Sequence, residues 1–308
     1  MGSQLQLTAW TGDPQGAEAA FEDVFREFDR LDGLMSVWRE GSDVVRLNGA
    51  AGQHPVPVSA EVRETIAAAR QISDWTGGKF DVTFGALSGL WKFDHDQDNR
   101  IPDPAAVRAR LPLIDYQQLV VDERAGTAFL KTPGMSVHLG GIGKGYAVDR
   151  GAAILRRRGI TDFMIQAGGD FYAGGRRGDR PWRVGLRDPR GPADRSFAAI
   201  DVSDETVSTS GDYERAFVSG GRRYHHIIDP DLGEPTRDTR SVTIIASRAT
   251  FADALDTGVF LLGPQAGMAL IEKLPDVEGV IVTAGNEVLV SSGLRERLVR
   301  LAPPTDAP

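Results

Sequence analysis

The chain has 308 residues, 41% of them hydrophobic, so one large domain or two intimate ones can be built around a real core. Lys and Arg number 35 against 43 Asp and Glu, a net charge of −8, which argues against a general nucleic-acid or anionic-membrane surface. There is no cysteine, so disulfides, thiolate metal sites and cysteine nucleophiles are excluded, and no apolar run approaches the ~18 residues of a membrane span. The opening residues Met1 to Gln6 lack a basic n-region and an apolar h-region, which fits either a cytoplasmic protein or an exported one whose leader is absent.

In chain order, Ala20, Phe21, Val24, Phe25, Phe28, Leu31 and Leu34 recur at helical spacing and predict an amphipathic helix over ~17–34. Ser59 caps a second helix that buries Val62, Ile66, Ala69 and Ile72, and Asp103-Pro104 starts a short third. Residues 94–104 read as a surface excursion, and residues 117–130 as a hairpin turning at Glu123 to Gly126. Gly143 to Arg158 is a helix stopped by Gly159. Short strands then dominate: Phe163–Gln166, Trp182–Leu186, Phe197–Val202, Ala216–Val218, Tyr224–Ile228 and Val242–Ala246, with Ser219 to Arg222 as a hairpin turn. Two helices, 249–261 and 265–273, precede a last hairpin at Ala284 to Asn286. Helices and strands come in blocks, which favours an α+β fold over a doubly wound sheet. The expectation is a single domain over 1–302, with two intimate subdomains as an option, and a disordered tail at 303–308.

Three segments carry chemistry: His138 to Asp149, Ser208 to Arg215 leading to His225 to Pro230, and Ala252 to Thr257. Gly140-Gly141-Ile142-Gly143-Lys144-Gly145 opens a helix, so backbone N–H groups, the helix dipole and Lys144 suit a phosphate. Its spacing is neither G-x-G-x-x-G nor a Walker A loop, and a tight structural turn stays open as a reading. Asp253 and Thr257 stand at i and i+4 on one helix face with Asp256 beside them, oxygen ligands suited to Mg²⁺, or alternatively acids that offset a helix dipole. His225 and His226 lie on one predicted strand and so point to opposite faces, which leaves one for a pocket and argues against both binding one zinc. Trp38 and the Gly78-Lys79-Phe80-Asp81 stretch offer flat rings for an isoalloxazine or adenine, or for the core. Asp94 to Asn99 mimics the start of a calcium loop, but Ala105 stands where the closing glutamate belongs.

In order, the blocks are Met35 to Trp38 with Ser42 to Asn48, Lys79 to Thr83 with Leu90-Trp91, Leu139 to Asp149, Ala167 to Asp170, Thr209 to Tyr213, His226 to Pro230, and Ala252 to Thr257. Over nearly the whole length, the chain resembles the ApbE family of flavin transferases. The resemblance implies a T-fold type of α+β architecture, an FAD site, Mg²⁺ beside the pyrophosphate, and transfer of FMN to a Thr or Ser hydroxyl of an acceptor flavoprotein with release of AMP. Carried over, Asp253 and Thr257 would hold the metal with the Gly141 carbonyl, and His226 would serve as base. Trp38, Lys79, Phe80, Asp81, Lys144 and Ile227 would line the flavin nucleotide site, and Met1 would fall at a turn that touches the flavin. Two departures stand out: His138 replaces a usual aspartate, and Asp256 adds a carboxylate beside the metal. An FAD pyrophosphatase giving FMN and AMP, or a non-catalytic FAD binder, are the alternatives. The family's usual setting favours an exported bacterial protein.

Overall fold

The computed structural model describes residues 4–307, so the expected contact of Met1 lies outside the described residues. Seven strands form one antiparallel sheet whose spatial order follows the chain: Leu5–Ala9, Phe163–Ala167, Asp170–Gly174, Glu205–Gly211, Thr239–Ala246, Glu278–Thr283 and Val288–Val290. Seven helices are described: α1 (Pro14–Met35), α2 (Asp43–Gly49), α3 (Ala60–Trp75), α4 (Pro104–Arg110), α5 (Gly143–Arg157), α6 (Ala249–Leu262) and α7 (Pro264–Ile271). The first four start on side-chain caps, Asp13, Ser42, Ser59 and Asp103, each accepting a backbone N–H of the first turn.

The Thr239–Ala246 strand is buried along its whole length, and its alternation sorts two cores. Val242, Ile244 and Ala246 join the helices, whereas Ile245 joins Val280 and Val282 against a small sheet of Trp182–Arg187, Ser196–Val202 and Leu298–Arg300. The α+β expectation therefore holds, with helices on one face and a second sheet on the other.

The central helix is α6. Its side chains Ala252, Ala254, Leu255, Val259 and Phe260 are all buried. Its first turn is capped from another helix: Asp149 of α5 accepts the N–H groups of Ala249 and Thr250, both at 2.9 Å. The two helices meet so closely that a Cβ on Gly145 would lie 2.1 Å from the Ala249 carbonyl oxygen.

Several expectations need correction. The strand expected over Tyr224–Ile228 breaks: it runs Arg222–His225, and Ile228–Asp229 pairs separately with Glu234–Pro235. Between them the His226 N–H turns to the Arg215 carbonyl. The strands Leu5–Ala9, Asp170–Gly174 and Glu205–Gly211 and the helix α2 went unread in the sequence. Residues 303–307 do not trail free as a disordered tail. Asp188 accepts the Thr305 N–H at 3.0 Å and its hydroxyl at 2.6 Å, and Asn286 donates to the Pro304 carbonyl at 3.0 Å. A buried carboxylate that needs donors holds the segment down.

Gly145→Ala is expected to destabilise the protein by about 1–3 kcal/mol or more, because backbone rather than a flexible side chain blocks the added methyl. The midpoint of urea unfolding checks this; an unchanged midpoint would show that α5 and α6 can move apart at no cost.

Candidate active site

A cavity of about 550 Å³ opens where the first turn of α5, one face of α6 and the end of the Glu205–Gly211 strand meet. Its size falls in the range of about 300–1,000 Å³ common to small-molecule sites. Gly140, Gly141, Lys144, His226, Asp253, Asp256 and Thr257 all line it, so the three distant segments do converge. Phe80, Asp81, Lys79, His138 and Ile227 line it as well.

One end is a buried charge cluster. The Lys144 ammonium lies 2.5 Å from Asp253 Oδ1 and 3.1 Å from Asp170 Oδ2. The Gly145 N–H donates to Asp253 Oδ2 at 2.8 Å. Ser208 and Ser210 donate to the two oxygens of Asp256, each at 2.8 Å, and the Thr257 and Ser210 hydroxyls lie 3.0 Å apart. Burial, then repulsion from Asp170, pushes the Asp253 carboxyl up to about 6 against the pull of Lys144. Burial and both neighbouring aspartates push Asp256 well above the carboxylate range. Burial alone would lower Lys144, but Asp170 and Asp253 more than reverse it. One ammonium thus serves three carboxylates, and the ion pair with Lys144 is the contact that Asp170 Oδ2 has here.

Three carboxylates around one ammonium, in an all-oxygen donor set, fit a hard cation. Among the described residues no three acidic or imidazole groups form a closed metal cage. A cation here would keep part of its shell for water or ligand oxygens, which is the habit of Mg²⁺.

The adjacent histidines divide as their opposed faces predicted, though through a strand break. His225 is satisfied on both nitrogens: Nδ1 accepts the Ile227 N–H at 3.3 Å, and Nε2 lies 2.9 Å from the Thr236 carbonyl oxygen. It is a core residue set edge-on to Phe260. His226 faces the cavity, and its buried Nδ1 has no partner. Burial, then the charges of Arg215 and Lys144, pushes its pKa down to about 3, so the imidazole is neutral at pH 7.

Other expected residues do different work. Asp81 accepts from the Thr83 N–H and hydroxyl and from the Tyr116 N–H, at 2.6–2.8 Å, so it braces the cavity wall. Lys79 is paired with Asp229 and Asp231 at 2.8 Å. Trp38 does not line the cavity. The turn after α1 carries it outward, where it is 54% exposed and meets His95 edge-on at 4.3 Å. Sequence reasoning gave no individual role to Asp170, Ser208, Ser210 and Arg215, although Asp170 stood in the Ala167 to Asp170 block and the other three in the Ser208 to Arg215 segment. Which of these side chains reach the cavity depends on their strand's alternation and its tertiary partners.

The depressed His226 fixes the sign of a pH effect. Below the ordinary value of 6.5 the unfolded chain takes up a proton that the folded chain refuses, so stability is lost as pH falls from 6.5 toward 3. His226→Gln is expected to gain on the parent over that window by at most about 1.4 kcal/mol per pH unit. Paired thermal melts between pH 7 and 5 check it; a constant difference between the two proteins would mean that the ring titrates normally.

With this geometry in hand, comparison with known proteins is informative. Residues 1–281 match the sequence model of the ApbE family. The chain is 35% identical to an FAD:protein FMN transferase of Klebsiella pneumoniae, covering 96% of this chain and 91% of that one. It is 35% identical to an FAD:protein FMN transferase of Treponema pallidum, covering 91% and 81%. Among solved structures it superposes on the ApbE protein of Thermotoga maritima with a TM-score of 0.86 at 32% identity, covering 96% of both chains. The flavin transferase ApbE of Vibrio cholerae gives 0.85 at 26%, again covering 96% of both. The cradle, the oxygen cluster and the cavity histidine sit in a fold shared along nearly its full length with these proteins, and the chain belongs to the ApbE family.

Proposed function

We propose that this chain transfers the FMN moiety of FAD to a threonine or serine hydroxyl of an acceptor protein and releases AMP. The single observation that carries the reading is a neutral His226 with an unpartnered nitrogen, in one cavity with a glycine-opened helix N-terminus and a cluster of oxygen ligands.

The dinucleotide's pyrophosphate meets the first turn of α5, where the helix dipole and the Lys144 ammonium favour negative charge. A Cβ on Gly141 would stand 3.3 Å from the Phe80 ring, so the bare Cα lets the turn and that ring pack closely. Asp253 and Thr257, with the Gly141 carbonyl and with Asp256 and Asp170 at hand, are the residues that would hold Mg²⁺. When bound, Mg²⁺ supplies neutralisation of charge on the phosphate oxygens. His226 accepts the proton of the acceptor hydroxyl as that oxygen bonds to the FMN phosphorus. The bond from that phosphorus to the bridging oxygen breaks, and AMP leaves with the oxygen. Phe80 and Ile227 supply apolar wall beside the reacting groups, and Lys79 is held in place by Asp229.

Incubation of the enzyme with FAD, Mg²⁺ and a candidate acceptor is expected to add one FMN phosphodiester to the acceptor, read by intact-mass spectrometry. Free FMN and AMP with an unmodified acceptor would assign hydrolysis instead, and intact FAD would leave only a binding protein. His226→Ala should lower the transfer rate by about 10²–10⁴-fold while FAD still binds; an undiminished rate removes the histidine from the chemistry.

Asp256→Asn tests the cation site separately. Removing one of three crowded carboxylates should leave the metal-free melting temperature unchanged or higher, while the upward shift on adding Mg²⁺ shrinks. A full Mg²⁺ shift in the variant would place the cation elsewhere.

A further inference from the structure

The strand Glu205–Gly211 ends at the cavity, and a two-stranded ribbon of Ala216–Ser219 and Arg222–His225 starts beside it. Four residues, Asp212 to Arg215, join the two. Upstream, the ladder with Thr239–Ala246 reaches Gly211, so the large sheet fixes that end. The ribbon belongs to no larger sheet. Its Phe217 and Tyr224 stack on Phe93 and Trp91, which sets its distance from that aromatic wall. The end from which Arg215 and His226 enter the cavity is set by the joining segment, because the Arg215 carbonyl accepts the His226 N–H at 3.1 Å.

That segment is gripped from outside the cavity. The Arg190 guanidinium takes both oxygens of Asp212, each at 2.7 Å, and the two side chains are 8% and 9% exposed. The Arg187 guanidinium lies 4.6 Å over the Tyr213 ring and 3.1 Å from Glu214. Tyr213 packs in turn on Gly211, where a Cβ would lie 2.4 Å from its ring. Asp188 steadies the loop by accepting the Arg190 N–H at 3.0 Å. Arg187, Arg190, Asp212 and Tyr213 are not among the residues that line the cavity. Against an apolar pair of the same volume a buried ion pair adds little stability, but its fork fixes direction as well as distance.

We propose that Arg190 and Arg187 are positioning residues for the transfer: they clamp the segment from Asp212 to Glu214, and so fix the Arg215 carbonyl that holds the His226 main chain and aims its ring into the cavity. The inference rests on the reading of His226 as proton acceptor and deepens it.

The test compares Arg187→Met with the paired replacement of Arg190→Met and Asp212→Leu, which removes both buried charges together and leaves neither unpaired. Melting temperatures confirm folding. With FAD, Mg²⁺ and an acceptor, kcat should fall about 10–100-fold in the paired variant and about threefold in Arg187→Met, while KM for FAD stays within about threefold of the parent. In a His226→Ala background the same replacements should cost nothing further, because the group they aim is gone. In NMR spectra of the protein without FAD, the ring signal of His226, assigned by its loss in His226→Ala, should shift in the paired variant while the His138 ring signal keeps its place.

A KM that rises in step with the loss of kcat, an equal loss in the His226→Ala background, or an unmoved His226 signal overturns the proposal. If the paired variant does not fold, Arg187→Met decides by the same three readouts, since its side chain is 38% exposed and its removal strands no buried charge. A parent that transfers no FMN brings down the functional reading, and the ring signals then still judge the clamp. Full transfer in every variant brings down only the clamp.

Discussion

Lys144 faces Asp253 at 2.5 Å and Asp170 at 3.1 Å where the carboxylates are buried at one end of the cavity, with Asp256 a third carboxylate close by. In so low a dielectric one ammonium does not balance three carboxylates, and the mismatch is expressed as raised carboxyl pKa values at Asp253 and Asp256. A site in that condition has two ways to relax: it keeps protons, or it takes up another cation. The first leaves the pocket inert toward phosphate. The second brings positive charge to the place where the positive end of the α5 dipole already points. The unfavourable charge balance among these side chains is thereby what tunes them for a metal and an anionic ligand together.

That cluster is possible only because two helices touch backbone to backbone. Gly145 lets α5 reach the start of α6, and its own N–H then becomes a donor to Asp253. One turn along α5, Asp149 caps the first turn of α6, so a single helix sets both the start and the rotation of the other. With that rotation fixed, Asp253, Asp256 and Thr257 face the cavity while Ala254, Leu255 and Val259 are buried. Two acids of α5 and α6 thus carry different loads: Asp149 satisfies backbone groups, and Asp253 holds Lys144. Sequence spacing alone would assign either to a ligand.

Periodicity made the helices legible, because their apolar stripes and capping residues are local signals. The Ser219 to Arg222 turn was legible for the same reason, since glycines at 220 and 221 supply the positive φ a tight hairpin needs. The strands that were missed, Asp170–Gly174 and Glu205–Gly211, lie inside the large sheet, where both faces are covered and polar positions are satisfied by tertiary partners. Ser208 and Thr206 are buried because Asp170, Asp256 and the Phe171 carbonyl accept their hydroxyls. No window on the sequence contains those partners. Trp38 failed for the converse reason: a ring suited to stacking is placed by the chain direction after α1, and that direction carries it to His95 on the surface.

The histidine pair shows how a small irregularity makes a site. In an unbroken strand both rings would stand on a regular pleat, with their backbone groups spent on ladder bonds. Here the ladder ends at His225, whose ring is used up on the Thr236 carbonyl and the Ile227 N–H. The next N–H turns to the Arg215 carbonyl, which swings His226 into the cavity and brings the Arg215 side chain near it. Arg215 is itself held by Asp94 at 2.6 Å, so its charge stays close enough to disfavour an imidazolium. One structural histidine anchors the end of the strand, and the ring after it keeps an unpartnered Nδ1 and stays uncharged, the state a proton acceptor requires.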